Sequence, residues 1–198
     1  MIKTIVFDFE GPIWTMGDKT VFEQVSKEKG LREDSFYNTA RQYFDGAHVG
    51  EFSSYEDFYT KANPQTDFSL KEFKETFDRQ MATRDSVSGT IDLIKTLKPK
   101  YQIALFSNFG SSLVGYLNDL GITDLFDHIV NSYDLGVEKP DKEAYLKMLD
   151  IIGANPDEVI FVDDKSRNIE GAKAVGIKSI LFTNPNQLKD DLSKLIDI

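Results

Sequence analysis

The apolar, β-branched run Ile2–Phe7 stops at an acid, Asp8, and Glu10 follows two residues later, just before Gly11-Pro12. Extended geometry would turn both carboxylates to one side. One could attack as a nucleophile while its neighbour moves protons. The pattern recurs downstream. Tyr101–Phe106 stops at Ser107-Asn108, Val159–Val162 stops at Asp163-Asp164, and Lys139-Pro140 stands just ahead of a helical pattern. If the three runs are strands of one parallel sheet, their ends share an edge and residues distant in sequence converge. An attacking oxygen, a hydroxyl, a lysine and a pair of acids form the inventory of phosphoryl transfer. The reaction needs donors and a cation for the equatorial oxygens and a hard metal against the accumulating charge. Taken singly, each residue has a plainer reading: solvated strand-end acids, a turn serine, a surface lysine, an acidic helix N-terminus.

The elements that must position these residues are legible as two patterns. Before the first pattern change, residues 13–18 carry a turn signal at Gly17-Asp18, as in a small hairpin or flap. From Lys19 to Arg84 apolar residues recur at helical spacing: Val21, Phe22, Val25; Phe36, Ala40, Tyr43, Phe44; Tyr55, Phe58, Tyr59, Ala62; Leu70, Phe73, Phe77, Met81. Breaks fall at Gly30, around Gly46–Gly50 and at Asn63-Pro64, and Ser54 and Ser69 stand at N-cap positions, with Glu72 completing a capping box. Four inserted helices are expected. From Ser88 onward helix and strand alternate. Helices are expected at 89–97, 111–120, 141–152, 166–175 and 186–196, and strands at 101–106, 127–131, 159–162 and 178–182. Such β-α repetition implies a doubly wound parallel sheet with helices on both faces. The expected division is a core of residues 1–18 and 85–198 and a helical insertion at 19–84.

Composition narrows the function classes. The chain has 198 residues, no cysteine and a net charge of −10, so disulfide and thiol chemistry are excluded and nucleic acid is a poor partner. A local site can still take a small anion. The N-terminus lacks a basic-then-apolar secretory pattern, and no apolar run nears the ~20 residues that span a bilayer. A soluble, cytoplasmic protein without membrane contact is expected.

Four strings carry a family resemblance: Phe7-Asp8-Phe9-Glu10-Gly11; Phe106-Ser107-Asn108; Gly136-Val137-Glu138-Lys139-Pro140-Asp141; and Phe161-Val162-Asp163-Asp164-Lys165-Ser166-Arg167-Asn168. In this order and spacing the chain resembles the haloacid dehalogenase superfamily, in its helical-cap phosphatase branch. The resemblance implies a Rossmann-like core with a four-helix cap and Mg²⁺-dependent hydrolysis of small phosphorylated metabolites, sugar-phosphate-like esters first among them. It also implies roles. Asp8 attacks phosphorus and becomes an aspartyl-phosphate. Glu10 protonates the leaving oxygen, then deprotonates the attacking water, and its backbone carbonyl ligates Mg²⁺. Ser107 and the N–H of Asn108 bind the phosphoryl group, and Lys139 neutralises charge. Asp163 and Asp164 join Asp8 and Glu10 at the metal, with Asn168 orienting that shell.

Two residues depart from the family's usual pattern. Glu10 replaces the commoner Asp, adding a methylene to the acid, and Pro12 replaces a small β-branched residue. Glu10, Asp163 and Asp164 favour the phosphatase over the metal-free dehalogenases. A phosphosugar mutase and a catalytically weak phosphate-binding module are the other readings. Within the insertion, Arg41, Tyr43, His48 and Arg84 are candidates to reach a substrate, and the plainer expectation for each is a surface or packing role. Trp14 is expected to pack on the cap or touch substrate, and His128 to be structural.

Overall fold

The computed structural model describes residues 1–15 and 20–198. Five parallel strands form one sheet: β1 (Thr4–Phe7), β2 (Gln102–Ser107), β3 (His128–Asn131), β4 (Val159–Asp163) and β5 (Lys178–Leu181), in the order β3-β2-β1-β4-β5. The first strand is therefore the central one, flanked by β2 and β4, with Phe7 opposite Leu105 and Val162. The strand order reverses at β1, where doubly wound folds place their ligand crevice.

Strand alternation sorts the core into two layers. Ile5 and Phe7, with Ile103, Leu105, Ile160 and Val162, pack against α5 (Ser88–Leu97), α6 (Leu113–Asp119) and α10 (Pro185–Ser193). Val6, Ala104, Phe106, Val159 and Phe161 face the other way, against α8 (Lys142–Ile152) and α9 (Ser166–Ala174). At the starting edge of the sheet, Thr4 Oγ1 donates to Gln102 Oε1 at 2.7 Å, and the Gln102 amide meets His128 Nε2 at 2.9 Å. Gln102 thus ties three strands together at the edge opposite Asp8, with His128 as its partner on β3. A short helix, α7 (Ser132–Leu135), was not anticipated; Asn131 accepts from the Tyr133 N–H at its start and Gly136, at φ 66°, ends it. Four residues are too few to show a helical period.

Four helices occupy the inserted region: α1 (Thr20–Glu28), α2 (Ser35–Ala47), α3 (Tyr55–Ala62) and α4 (Leu70–Met81). Ser54 caps α3 and the Ser69–Glu72 capping box opens α4 as expected. Phe22, Val25, Phe36, Ala40, Phe68, Phe73 and Phe77 form an apolar cluster of their own. The expected boundary at residue 18 and the Gly17-Asp18 turn lie outside the described residues. The segments that join insertion and core run side by side: Thr15 N–H donates to Asp85 O at 2.8 Å and Val87 N–H to Ile13 O at 2.7 Å. Between α2 and α3 the insertion touches the core, where Ser111 Oγ lies 3.5 Å from Ser53 O. No helix among the described residues is long and apolar enough to cross a membrane.

Candidate active site

Asp8 directly follows β1, and Asp163 ends β4; the Asp8 N–H donates to Val162 O at 2.8 Å, so the pairing of the two strands brings the acids together. Asp8, Asp163 and Asp164 each offer a carboxylate oxygen within 4.8 Å of the others. Lys139 reaches in from the loop before α8, with Nζ 3.0 Å from Asp8 Oδ1 and 2.9 Å from Asp163 Oδ2. It also donates to Phe106 O at 2.7 Å and sits over the rings of Phe106 and Phe161 at 5.0 and 5.1 Å. The lysine expected at a surface when read alone is buried, at 1% exposure.

The two acids of the last motif differ in their surroundings. Asp163 is saturated: Lys139, the Lys165 N–H at 2.8 Å and Asn168 Nδ2, within 3.1 Å of both oxygens, all donate to it. Asn168 is held in turn, its carbonyl accepting from Tyr145 Oη at 2.6 Å. Among the described residues, Asp164 Oδ1 is buried without a partner, and so is Ser107 Oγ. Gly11 is what lets Asp164 approach. At φ 95° it occupies the glycine-favouring region, and a Cβ there would stand 2.6 Å from Asp164 Cγ.

Two lysines act on these acids: Lys139 contacts Asp8 and Asp163, and Lys165 acts electrostatically on Asp8 and Asp164. Burial pushes Asp8 up to about 7; Lys139 opposes this and Asp163 adds to it. Burial also raises Asp164. Asp163 stays below the usual carboxylate range because Lys139 and its N–H donors outweigh burial. Burial alone would depress Lys139, but Asp8 and Asp163 hold it above the ordinary lysine value.

Glu10 does not continue the strand. The chain turns after Phe9, Glu10 bridges to Trp14, and its carboxylate pairs with Arg84 rather than joining the acid cluster. The resemblance assigns the metal contact of this residue to its backbone carbonyl, which this placement leaves open. Arg84 is the residue whose role sequence reasoning missed. Its side chain is 8% exposed, it lies over the Trp14 ring at 4.8 Å, and its Nε is buried without a partner among the described residues. The only sequence signal was an arginine at the junction of insertion and core. Trp14 is 6% exposed and packs on Phe9, Phe109 and Tyr116, forming the floor under that arginine.

Asn108 fixes the lysine loop: its Oδ1 accepts from the Lys139 N–H at 2.9 Å and its Nδ2 donates to Lys139 O at 2.8 Å. The same amide lies 3.2 Å from Glu138 Oε2, which stands 3.4 Å from His48 Nδ1. A cavity of about 700 Å³ opens between the inserted helices and the core. Glu10, Arg84, Glu138 and Arg167 line it, as do Arg41, Tyr43 and His48. All four sequence candidates of the insertion therefore reach this space.

A carboxylate, a buried lysine and an acid cluster stand together at the switch point of a doubly wound sheet. The model of the haloacid dehalogenase-like hydrolases matches residues 2–176, and the chain belongs to that family. Flavin mononucleotide hydrolase 1 of Arabidopsis thaliana is 29% identical over 130 residues, covering 65% of this chain and 52% of that protein. Phosphoglycolate phosphatase 1 of Pseudomonas aeruginosa is 27% identical over 121 residues, covering 60% and 44%. The chain thus spans about half the length of these curated relatives. Among solved structures, the HAD family enzyme bt-2542 of Bacteroides thetaiotaomicron, in complex with magnesium and inorganic phosphate, superposes with a TM-score of 0.72 at 19% identity, over 93% of this chain and 96% of that one.

Two outcomes follow from the charges. In EDTA, Asp8→Asn is expected to raise the unfolding midpoint near pH 7.5. The native carboxyl, raised to about 7, stays protonated longer than in the unfolded chain, so its effect on stability worsens as pH rises from about 4 to 7. The gap between variant and wild type should close as pH falls toward 4, and a gap that widens would refute the assignment. Arg84→Met leaves Glu10 without its partner and should cost about 3 kcal/mol in urea unfolding, with Arg84→Met/Glu10→Gln recovering part of it.

Proposed function

We propose that this protein is a Mg²⁺-dependent phosphatase of small phosphorylated metabolites. The observation that carries the reading is the acid cluster around buried Lys139, with Asp164 Oδ1 and Ser107 Oγ buried beside it and unpartnered among the described residues. A carboxylate oxygen kept free of protein donors suits a hard cation with oxygen ligands. A free buried hydroxyl suits a phosphoryl oxygen. Asp8 and Asp164, with the Glu10 carbonyl, would hold Mg²⁺. When bound, the ion would supply positive charge that offsets the repulsion between the acids and a phosphate dianion. Magnesium in the bt-2542 complex supports the choice of metal.

The protein's own groups account for the rest. Asp8 attacks phosphorus as the bond to the leaving oxygen breaks, and Glu10, which must first leave its pairing with Arg84 and take up a proton, donates that proton to the oxygen. Water then attacks the aspartyl-phosphate, losing its proton to Glu10, which frees Asp8 and leaves Glu10 protonated again. Lys139 stays in contact with Asp8 throughout, and Asp163, saturated by Asn168 and Lys165, fixes the lysine rather than serving as an open ligand. Ser107 and the Asn108 N–H would hold the transferred group. The inserted helices would act as a cap domain, residues 19–84, that screens the site from water over the core of residues 1–18 and 85–198. The curated relatives act on phosphorylated small molecules, as their names state, and a sugar-phosphate-like ester is the class proposed here. The absence of cysteine fits the reducing cytoplasm as the proposed location. A second reading, a phosphate-binding module with weak turnover, draws on the ion pair that engages Glu10.

Phosphate release from acetyl phosphate should require Mg²⁺ and stop with EDTA. Asp8→Asn should lower kcat at least about 10³-fold, the size expected for loss of a covalent nucleophile. Asp164→Ala should raise the Mg²⁺ concentration for half-activity at least about tenfold. Metal-independent release, or near-normal turnover by Asp8→Asn, would overturn the phosphatase reading. Mg²⁺ binding without release would favour the binding module.

A further inference from the structure

The cavity offers more than phosphoryl chemistry needs. At ~30 Å³ per water, its 700 Å³ corresponds to roughly two dozen waters, so a lone sugar ring would leave much of it wet. Its walls are aromatic on both sides. Tyr43 and Phe44 come from α2 and Tyr55 from the start of α3, while Phe109 and Tyr116 come from the core. A helical bundle needs an aromatic stripe for its own packing, and Phe36 and Phe73, fully buried, serve that purpose. Phe44 and Tyr55 also pack on that cluster and Tyr43 packs on Phe58, but Tyr43, Phe44, Tyr55 and Tyr116 are each only half-buried and line the cavity.

These rings share one space across the boundary of insertion and core. Tyr43 and Tyr55 are 4.4 Å apart, and Tyr116 acts electrostatically on both. Burial pushes all three hydroxyls up, so they remain neutral donors and acceptors near neutral pH. The wall also carries Gln80, 4% exposed, whose Oε1 is buried without a partner among the described residues. Facing aromatic surfaces take a flat ring between them. Glu10 and Arg84 line the same cavity, so its contents would lie beside the acid that would protonate a leaving oxygen, while Asp8, Ser107 and Lys139 are not among the residues that line it.

We propose that this cavity is a leaving-group subsite for a flat heteroaromatic ring, and that the preferred substrates are sugar or polyol phosphates carrying such a ring, as nucleoside monophosphates and flavin phosphates do. The proposal rests on the phosphatase reading and specifies its substrate class. The rings would hold the leaving group while Glu10 donates to its oxygen. A bare sugar phosphate forgoes the stacking.

The test compares kcat/KM with Mg²⁺ for flavin mononucleotide, adenosine 5′-monophosphate, ribose 5-phosphate and acetyl phosphate, the last having no leaving-group ring. At least one ring-bearing ester should exceed ribose 5-phosphate by about tenfold or more, the scale of one good stacking contact. Tyr116→Ala, and separately Tyr43→Ala, should pull that ratio toward one. Release from acetyl phosphate with no ring preference would overturn the subsite and leave the phosphatase intact. If nothing is released from any ester, equilibrium binding to Asp8→Asn decides instead. A ring-bearing ester held at least about tenfold tighter than ribose 5-phosphate would support the subsite, and equal affinities would overturn it.

Discussion

One buried ammonium holds the site together. Lys139 sits between Asp8 and Asp163, within 3.0 Å of both, on a bed of two aromatic rings. Three carboxylates cluster there, two of them in contact with Lys139, and Lys165 adds its charge to Asp8 and Asp164. The mismatch explains the rest of the local design. Asp163 takes the ammonium and three further donations, and so stays ionised. Asp8 and Asp164 are left short of donors, and burial raises both. A cluster in that condition repels its own members until something positive arrives, and a divalent cation fits the deficit. Removing the lysine would leave buried acids without compensation, which costs far more than the pair itself contributes.

Such crowding of like charge needs a rigid frame, and the two apolar layers supply it. β1 is buried along its whole length, and each large apolar side chain it withdraws from water contributes roughly 1.5–3 kcal/mol. The parallel pairing of β1 with β4 then leaves Asp8 and Asp163 no choice but to be neighbours. Tyr145 and Asn168 carry the same logic one step outward, since α8 and α9 are locked by a hydrogen bond that also aims the Asn168 amide at Asp163. The inserted helices have their own apolar cluster and meet the core through paired connecting segments and through Ser53–Ser111 and His48–Glu138.

Much of this was readable in the residue order. Apolar runs ending in Asp8, Ser107 and Asp163 foretold strands whose ends meet, because a parallel sheet allows no other arrangement. Capping signals at Ser54 and Ser69 placed two helices of the insertion. Glu10 and Arg84 were not readable as a pair. They lie 74 residues apart, and only the antiparallel return of residues 85–87 beside 13–15 brings them together. The same holds for Asn108, whose side chain clamps the Lys139 backbone, and for the division of labour between Asp163 and Asp164. Adjacent identical residues carry no sequence signal of which one is saturated and which one free. The half-buried state of Tyr43, Tyr55 and Tyr116 was hidden too, since a periodic stripe reads alike whether it faces a core or a cavity.

The most direct measurement of the central claim is a rapid-quench single turnover with Mg²⁺, followed by mass spectrometry of the peptide that contains Asp8. The account predicts transient addition of one phosphoryl group to Asp8, absent in Asp8→Asn. Phosphate release at the wild-type single-turnover rate with Asp8 never labelled, or with the label on another residue, would contradict it.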